Sequence, residues 1–297
     1  MGTLGRMAGR GGSLWAMRLG FQKFLGVVVV ASGLMASDTN RIHGVVALWR
    51  AGKVDDAFAA AAAALKEDPR NARMFNIRAQ MRSMTGQHAL ADEDLTAAIG
   101  LEPDSASLFQ TRAQLRFRLG RIEDSVKDFD RANELAPSLV PQNWQRGIAL
   151  YYAGRFKDGR LQFEVHQTHN TQDVENAAWH FLCTTREQGM EAARRSLIPI
   201  ERDMRVPMRE IQSLFAGKAS VQDVLTAAGK AEDKDARREQ EFYAHLYLGL
   251  YFEATQDSPK RDLHIRKAAE LSDKDNYMGI VSRIHLDRLK AASASKP

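Results

Sequence analysis

The chain has a single cysteine, Cys183, among its 297 residues, which excludes an intramolecular disulfide and every disulfide-stapled scaffold. Stability must come from a packed core. A content of 44% hydrophobic and 27% charged residues is that of an ordinary folded protein with one large or two small domains. The common catalytic spacings are missing too: there is no HExxH, no GxSxG and no phosphate loop, and the one glycine-rich stretch lies near the start of the chain. The pairs Gly52–Lys53 and Gly217–Lys218 lack the upstream glycine and the following Ser or Thr of a phosphate loop, so both read as turns. A protein that is not an enzyme and needs no cofactor is the expectation.

Acidic residues are absent from residues 1–36, which hold Arg6, Arg10, Arg18 and Lys23. Setting those four aside leaves 38 of the 42 basic residues against 37 acidic ones, so the formal charge of +5 belongs mostly to the leader. Nucleic acid is therefore not an expected partner. In the leader, "MRLGFQK" supplies a positive start, "FLGVVVVASGLMA" an apolar run from Phe24 to Ala36, and small residues surround its end. That is the plan of a secretory signal peptide, and the run falls short of the roughly 20 residues a spanning helix needs. Cleavage after Gly33 or Ala36 is expected, with Met17 a candidate initiator. The alternative is an uncleaved anchor, the only route by which this chain would reach a membrane. No cysteine ends the apolar run, which excludes lipid attachment by the bacterial lipoprotein route.

What is present is a repeat. "RAQMRSMTGQHALADEDLTAAIGLEP" from Arg78 is followed 34 residues later by "RAQLRFRLGRIEDSVKDFDRANELAP" from Arg112. Gly52, Gly86, Gly120 and Gly154 keep the same interval, as do the small residues Ala57, Ala91, Ser125 and Gly159. In register with them run Ala61, Leu95, Phe129 and Phe163, then Ala64, Ala98, Ala132 and His166, then Pro69, Pro103 and Pro137. Each unit reads as two helices: glycine turns the chain between them, small residues let them approach, and Pro stops the second. A single unit cannot bury its own apolar face, so neighbours must stack into a continuous core.

The period and its grammar of small, aromatic and Pro positions resemble the tetratricopeptide repeat, or TPR. The fold class expected is all-α: a TPR helix-turn-helix solenoid of about four to five N-terminal units, a divergent linker of short helices and a C-terminal TPR-like pair. The domains expected are a signal peptide or anchor over residues 1–36, repeats over 38–200, short helices over 201–240, a helix pair and final helix over 241–290, and a flexible tail over 291–297. In the fourth unit Thr171 and His166 stand where Pro and Ala are expected, and a fifth, divergent pair turns near Gly189. "VPMREIQSLFAG" and "SVQDVLTAAGK" read as short helices, the second opened by Ser220 with Asp223 three residues on. "FYAHLYLGLYFEA" then restores the repeat spacing, and a last helix covers about Asn276 to Leu289.

This order also resembles the new-lipoprotein-I type of bacterial envelope TPR adaptor, on "SLFAGK", "VQDVLTAA", "FYAHLYLGLY" and "RGIALYYAGR". The resemblance implies an exported scaffold of the periplasm or cell envelope that holds cell-wall hydrolases and a processing protease, as a homodimer. The lipidated cysteine of that family has no counterpart here.

TPR folds turn positions 2, 5, 9, 12 and 13 of each first helix to the concave face. Here these are Arg73, Asn76, Gln80 and Met84, then Gln110, Gln114, Phe117 and Arg118, then Trp144, Ile148, Tyr151 and Tyr152. Amides and arginines suit an extended backbone, and the aromatic cluster suits a binding hot spot with no duty to the core. The competing readings are that the C-terminal helices cover the cluster, or that the aromatic patch is the interface of a structural homo-oligomer. His166, His169, His180 and Cys183 have a metal-like spacing, which would make a metal-dependent enzyme of the chain. The preferred reading is no metal: a histidine in a last helical turn and a cysteine serving as a small buried hydrophobe.

Overall fold

The computed structural model describes residues 34–273 and 276–294, with side chains described from Thr39 onward. Residues 1–33, which hold nearly all of the expected signal peptide, lie outside the described residues. Among the described residues all regular structure is helical, and no helix is long and apolar enough to cross a membrane. The chain forms two compact units, one ending at Glu67 and one beginning at Asp68.

The first unit contains α1 (Leu34–Arg50) and α2 (Val54–Glu67). Ala57, Ala61 and Ala64 are buried at helical spacing together with Ile42 and Val45, so an alanine run that looks like low complexity is a packing face. Trp49 sets its ring edge-on to Phe58 at 6.3 Å across the turn.

The second unit opens with three helix pairs in the expected register. They are α3 (Ala72–Met84) with α4 (His88–Leu101), α5 (Ala106–Arg118) with α6 (Ile122–Leu135), and α7 (Trp144–Tyr152) with α8 (Phe156–His166). Gly86, Gly120 and Gly154 take φ of 79°, 72° and 74°, a left-handed turn that glycine adopts without penalty. Small residues then permit contact between partners. Ala98 and Ala132 are buried, and a Cβ on Gly147 would stand 2.6 Å from the Phe163 ring. A fifth pair follows, α9 (Val174–Gln188) with the short α10 (Met190–Arg195), turning at Gly189. The linker holds α11 (Met208–Phe215) and α12 (Val221–Ala228), the latter opened by a capping box of Ser220 and Asp223. The restored pair is α13 (Lys234–Ala254) with α14 (Ser258–Leu271), where Gln256, at φ 61°, holds the place glycine takes in the repeats. The final helix, α15 (Tyr277–Ala294), runs on past Leu289.

A polar ladder repeats with the same period. Arg78 grips Asp94 through two bonds of 3.0 and 2.6 Å, and Arg112 grips Asp128 at 2.9 and 2.8 Å. A second arginine one turn on joins each pair, Arg82 to Asp94 at 2.7 Å and Arg116 to Asp128 at 2.9 Å. Both carboxylates are 3% exposed, so each is a buried acceptor shared by two cations. In the fourth repeat Leu150 replaces the second arginine and Gln162 the aspartate; Arg146 donates to Gln162 at 3.0 Å and to Asp130 of the preceding pair at 2.7 Å. Arg112 likewise reaches back to Thr96 at 3.1 Å, the residue equivalent to Asp130. The ladder therefore ties these three helix pairs internally and ties the second and third of them to the pair before.

Removing a buried partner leaves uncompensated charge, so Asp128→Ala should lower stability by about 3–5 kcal/mol. The triple variant Thr96→Asp, Arg116→Leu, Asp128→Gln copies the fourth repeat into the third and should recover most of that loss in denaturant titrations.

Candidate functional site

Along the first helices of repeats two to four, the positions expected on the concave face change character from one helix to the next. On α3, Arg73 and Met84 are exposed, and Asn76 and Gln80 are half-buried, with the Gln80 amide donating to Asn76 Oδ1 at 3.2 Å. On α5, Gln110, Gln114 and Arg118 are half-buried, and Gln114 Nε2 donates to Gln145 Oε1 of α7 at 2.7 Å. Phe117, between them, is fully buried. On α7 the face is apolar: Ile148 has no exposed surface, Tyr151 and Tyr152 are buried, and Trp144 is half-buried.

The chain itself covers this aromatic end. Tyr277 of α15 stacks on Phe117 with centroids 5.5 Å apart, and its edge meets Trp144 at 4.9 Å. Further along α15, His285 shares a hydrogen bond of 3.0 Å with Tyr152 Oη, and Arg288 lies over the Tyr152 ring. Tyr151 Oη donates to Glu253 of α13 at 2.9 Å, while Trp179 of α9 packs edge-on against the Tyr151 ring at 5.4 Å. Trp144, Ile148, Tyr151 and Tyr152 therefore do have a duty to the core, contrary to the expectation drawn from their repeat positions. The physical reason is area: aromatic side chains of this size, left in water on three successive turns, give a large apolar patch that a C-terminal helix removes from solvent. Their hydroxyls stay satisfied inside the seam, and burial pushes both tyrosine pKa values well above the ordinary 10.

The His/Cys spacing does not converge on one site, although the His166 and His169 rings lie 6.1 Å apart. His166 Nδ1 bonds the Pro141 carbonyl at 2.7 Å, His180 Nε2 faces Glu164 at 3.3 Å, and His169 is exposed. Cys183 is buried against Gly159, and burial raises its thiol pKa far above the usual range, as for a small core side chain. Among the described residues no three His, Cys, Asp or Glu side chains gather where a metal ion could sit.

Sequence reading did not pick out the arginine–aspartate ladder, although Arg78, Arg112 and Arg146 carry the repeat period openly. Glu253, Tyr277 and His285 had no local signal. They join the site through contacts more than a hundred residues distant in the chain.

No family model matches the chain, and no curated protein matches it in sequence. Solved structures do. A tetratricopeptide repeat protein from Parabacteroides merdae superposes with a TM-score of 0.56 at 15% identity, over 84% of this chain and 98% of its own. The C-terminal part of a TPR repeat-containing protein from Cytophaga hutchinsonii gives 0.50 at 13% identity, over 81% and 98%. Together with the helix pairs and their turns, these likenesses show the fold: an all-α TPR solenoid.

Several buried histidines set the acid limit of this assembly. His245 Nδ1 meets His264 Nδ1 at 2.7 Å between α13 and α14, a bond that requires a neutral acceptor. Burial lowers the His245 pKa to about 4, with His264 and Lys267 adding repulsion, and it lowers those of His264 and His285 as well. Groups whose folded pKa lies below the ordinary 6.5 bind protons more readily in the unfolded chain. Their stabilisation is complete above that value and is lost as pH falls towards 4. Thermal melts should show Tm falling across this window, and a His245→Leu, His264→Leu double variant should flatten part of the fall.

Proposed function

We propose that this protein is a non-catalytic scaffold that binds a partner protein or peptide on the polar stretch of the repeat face, formed by α3 and α5. The observation that carries this is the contrast along one face. The positions that α7 fills with Trp144 and Ile148, at the end covered by α15, are half-buried amides on α3 and α5, Asn76 and Gln80, then Gln110 and Gln114, and the place of Tyr152 is taken on α5 by Arg118. Side-chain amides donate and accept, which suits the alternating groups of an extended backbone. Phe117, Trp144, Ile148, Tyr151 and Tyr152 are then the fixed wall at one end of the site and not its hot spot.

An envelope adaptor of the new-lipoprotein-I type, serving cell-wall hydrolases or a processing protease, is the particular role the sequence resemblance favours. The acid-free, short-cored leader supports export as the route to that compartment. The reading as a structural homo-oligomer built on the aromatic patch loses ground, because α15 of the same chain already occupies that patch.

A photo-crosslinking residue placed at Gln80 or Gln114 in the native host should capture a discrete partner. The same residue at exposed Lys127, on the outer helix α6, should not. Equal capture from both positions, or capture from Lys127 alone, would contradict the site.

A further inference from the structure

The polar ladder is missing from the first helix pair. One repeat back from Arg78, Arg82 and Asp94 stand Gly44 and Leu48 on α1 and Ala60 on α2, so all three polar members are gone together. In their place is a groove of about 310 Å³ lined by Gly44, Leu48, Ala60 and Ala63, where a Cβ on Gly44 would meet nothing within 4 Å. In the later pairs this side is the one turned towards the pair before: Arg112 reaches back to Thr96, Arg116 to Asp92 and Arg146 to Asp130. No helix pair precedes α1 among the described residues. A terminal pair of a solenoid needs a polar outer face to stay soluble. This one has exchanged its polar ladder for an apolar groove, and the charges lining it are Arg41 and Glu67, both exposed and bridged at 2.7 Å.

We propose that this groove receives the same groove of a second copy, forming a closed two-fold dimer through α1 and α2. A two-fold contact requires each copy to present both halves of every interaction, and this surface does. Leu48 is a half-buried apolar knob one helical turn from the open space over Gly44, so each Leu48 can enter the hollow of the other copy. Dispersion contacts fall off steeply with distance, and the small residues at 44, 60 and 63 let the helices come close enough to make them. The charges follow the same rule. Arg41 and Glu67 supply one of each sign, so a two-fold copy offers each the opposite charge, around an apolar centre, which is the anatomy of a protein interface. A head-to-tail continuation of the stack would call for the ladder arginines that reach into a preceding pair, and Gly44 and Leu48 stand in their places. This inference is independent of the scaffold reading, since the groove lies within the first compact unit and the α3–α5 face within the second.

The test is sedimentation of the protein purified from its native host. The wild type should show a concentration-dependent monomer–dimer equilibrium that stops at the dimer. The triple variant Gly44→Arg, Leu48→Arg, Ala60→Asp writes the ladder of the second repeat into the first and fills the groove with charge that two copies cannot bury face to face. It should keep its helical content and raise the dimer dissociation constant by about a hundredfold or more. If the triple variant folds poorly, thiol crosslinking carries the test instead. Cys183 is buried, so Ala63→Cys gives the chain one accessible thiol, and a short bismaleimide should join two such chains. Lys127→Cys, exposed on α6, should not be joined. The proposal is overturned if the wild type stays monomeric up to roughly 100 µM, if the folded triple variant dimerises as the wild type does, or if Ala63→Cys crosslinks no better than Lys127→Cys. Growth past the dimer would also overturn it, since that marks head-to-tail stacking.

Discussion

The guanidinium at the seventh position of the second, third and fourth repeats is the interaction on which the remaining architecture hangs. Arg78, Arg112 and Arg146 each reach, within their own helix pair, the side chain sixteen residues on, and Arg112 and Arg146 also reach an acceptor sixteen residues back in the preceding pair. His180 keeps the same backward contact, to Glu164, where the fifth repeat begins. An apolar core of alanine, leucine and phenylalanine would tolerate a slipped helix, because hydrophobic contact has no direction. A buried carboxylate tolerates no slip, since displacement leaves charges without partners. The ladder thus fixes register, and the small residues at the crossing points set how near the paired helices come.

Fixed register has a second consequence, for the charge of the inner face. Because the ladder consumes aspartates from α4 and α6, the first helices can be rich in arginine without a net repulsion that would open the stack. Where the fourth repeat trades Arg and Asp for Leu150 and Gln162, the polar requirement relaxes and the face becomes aromatic. α15 settles there, with Tyr277 between Phe117 and Trp144 and His285 on Tyr152. One continuous face is thereby divided into a closed apolar end and an open polar end.

The fold was legible in the sequence because its determinants are local and periodic. Gly86, Gly120 and Gly154 announce the turns, Ala98 and Ala132 the close approach, and Ser220 with Asp223 the start of α12, each within reach of a few neighbouring residues. The turn at Gln256 was less plain, since no glycine marks it. The candidate site was legible only as far as repeat position predicts side-chain direction. Asn76, Gln80, Gln110 and Gln114 follow from position alone, whereas the fate of Trp144, Tyr151 and Tyr152 depends on Glu253, Tyr277 and His285, which no period links to them. A repeat tells where a residue points; a terminal helix outside the period decides whether anything is there to meet it.

The division of the face by α15 is the central claim, and native-state hydrogen exchange tests it directly. If α15 is an integral wall, backbone amides of peptides spanning 277–289 should exchange as slowly as those spanning 144–152, both opening only with global unfolding. Rapid exchange over 277–289 while 144–152 stays protected would mean that the aromatic end is not held by α15, and the account of a closed and an open half would fail.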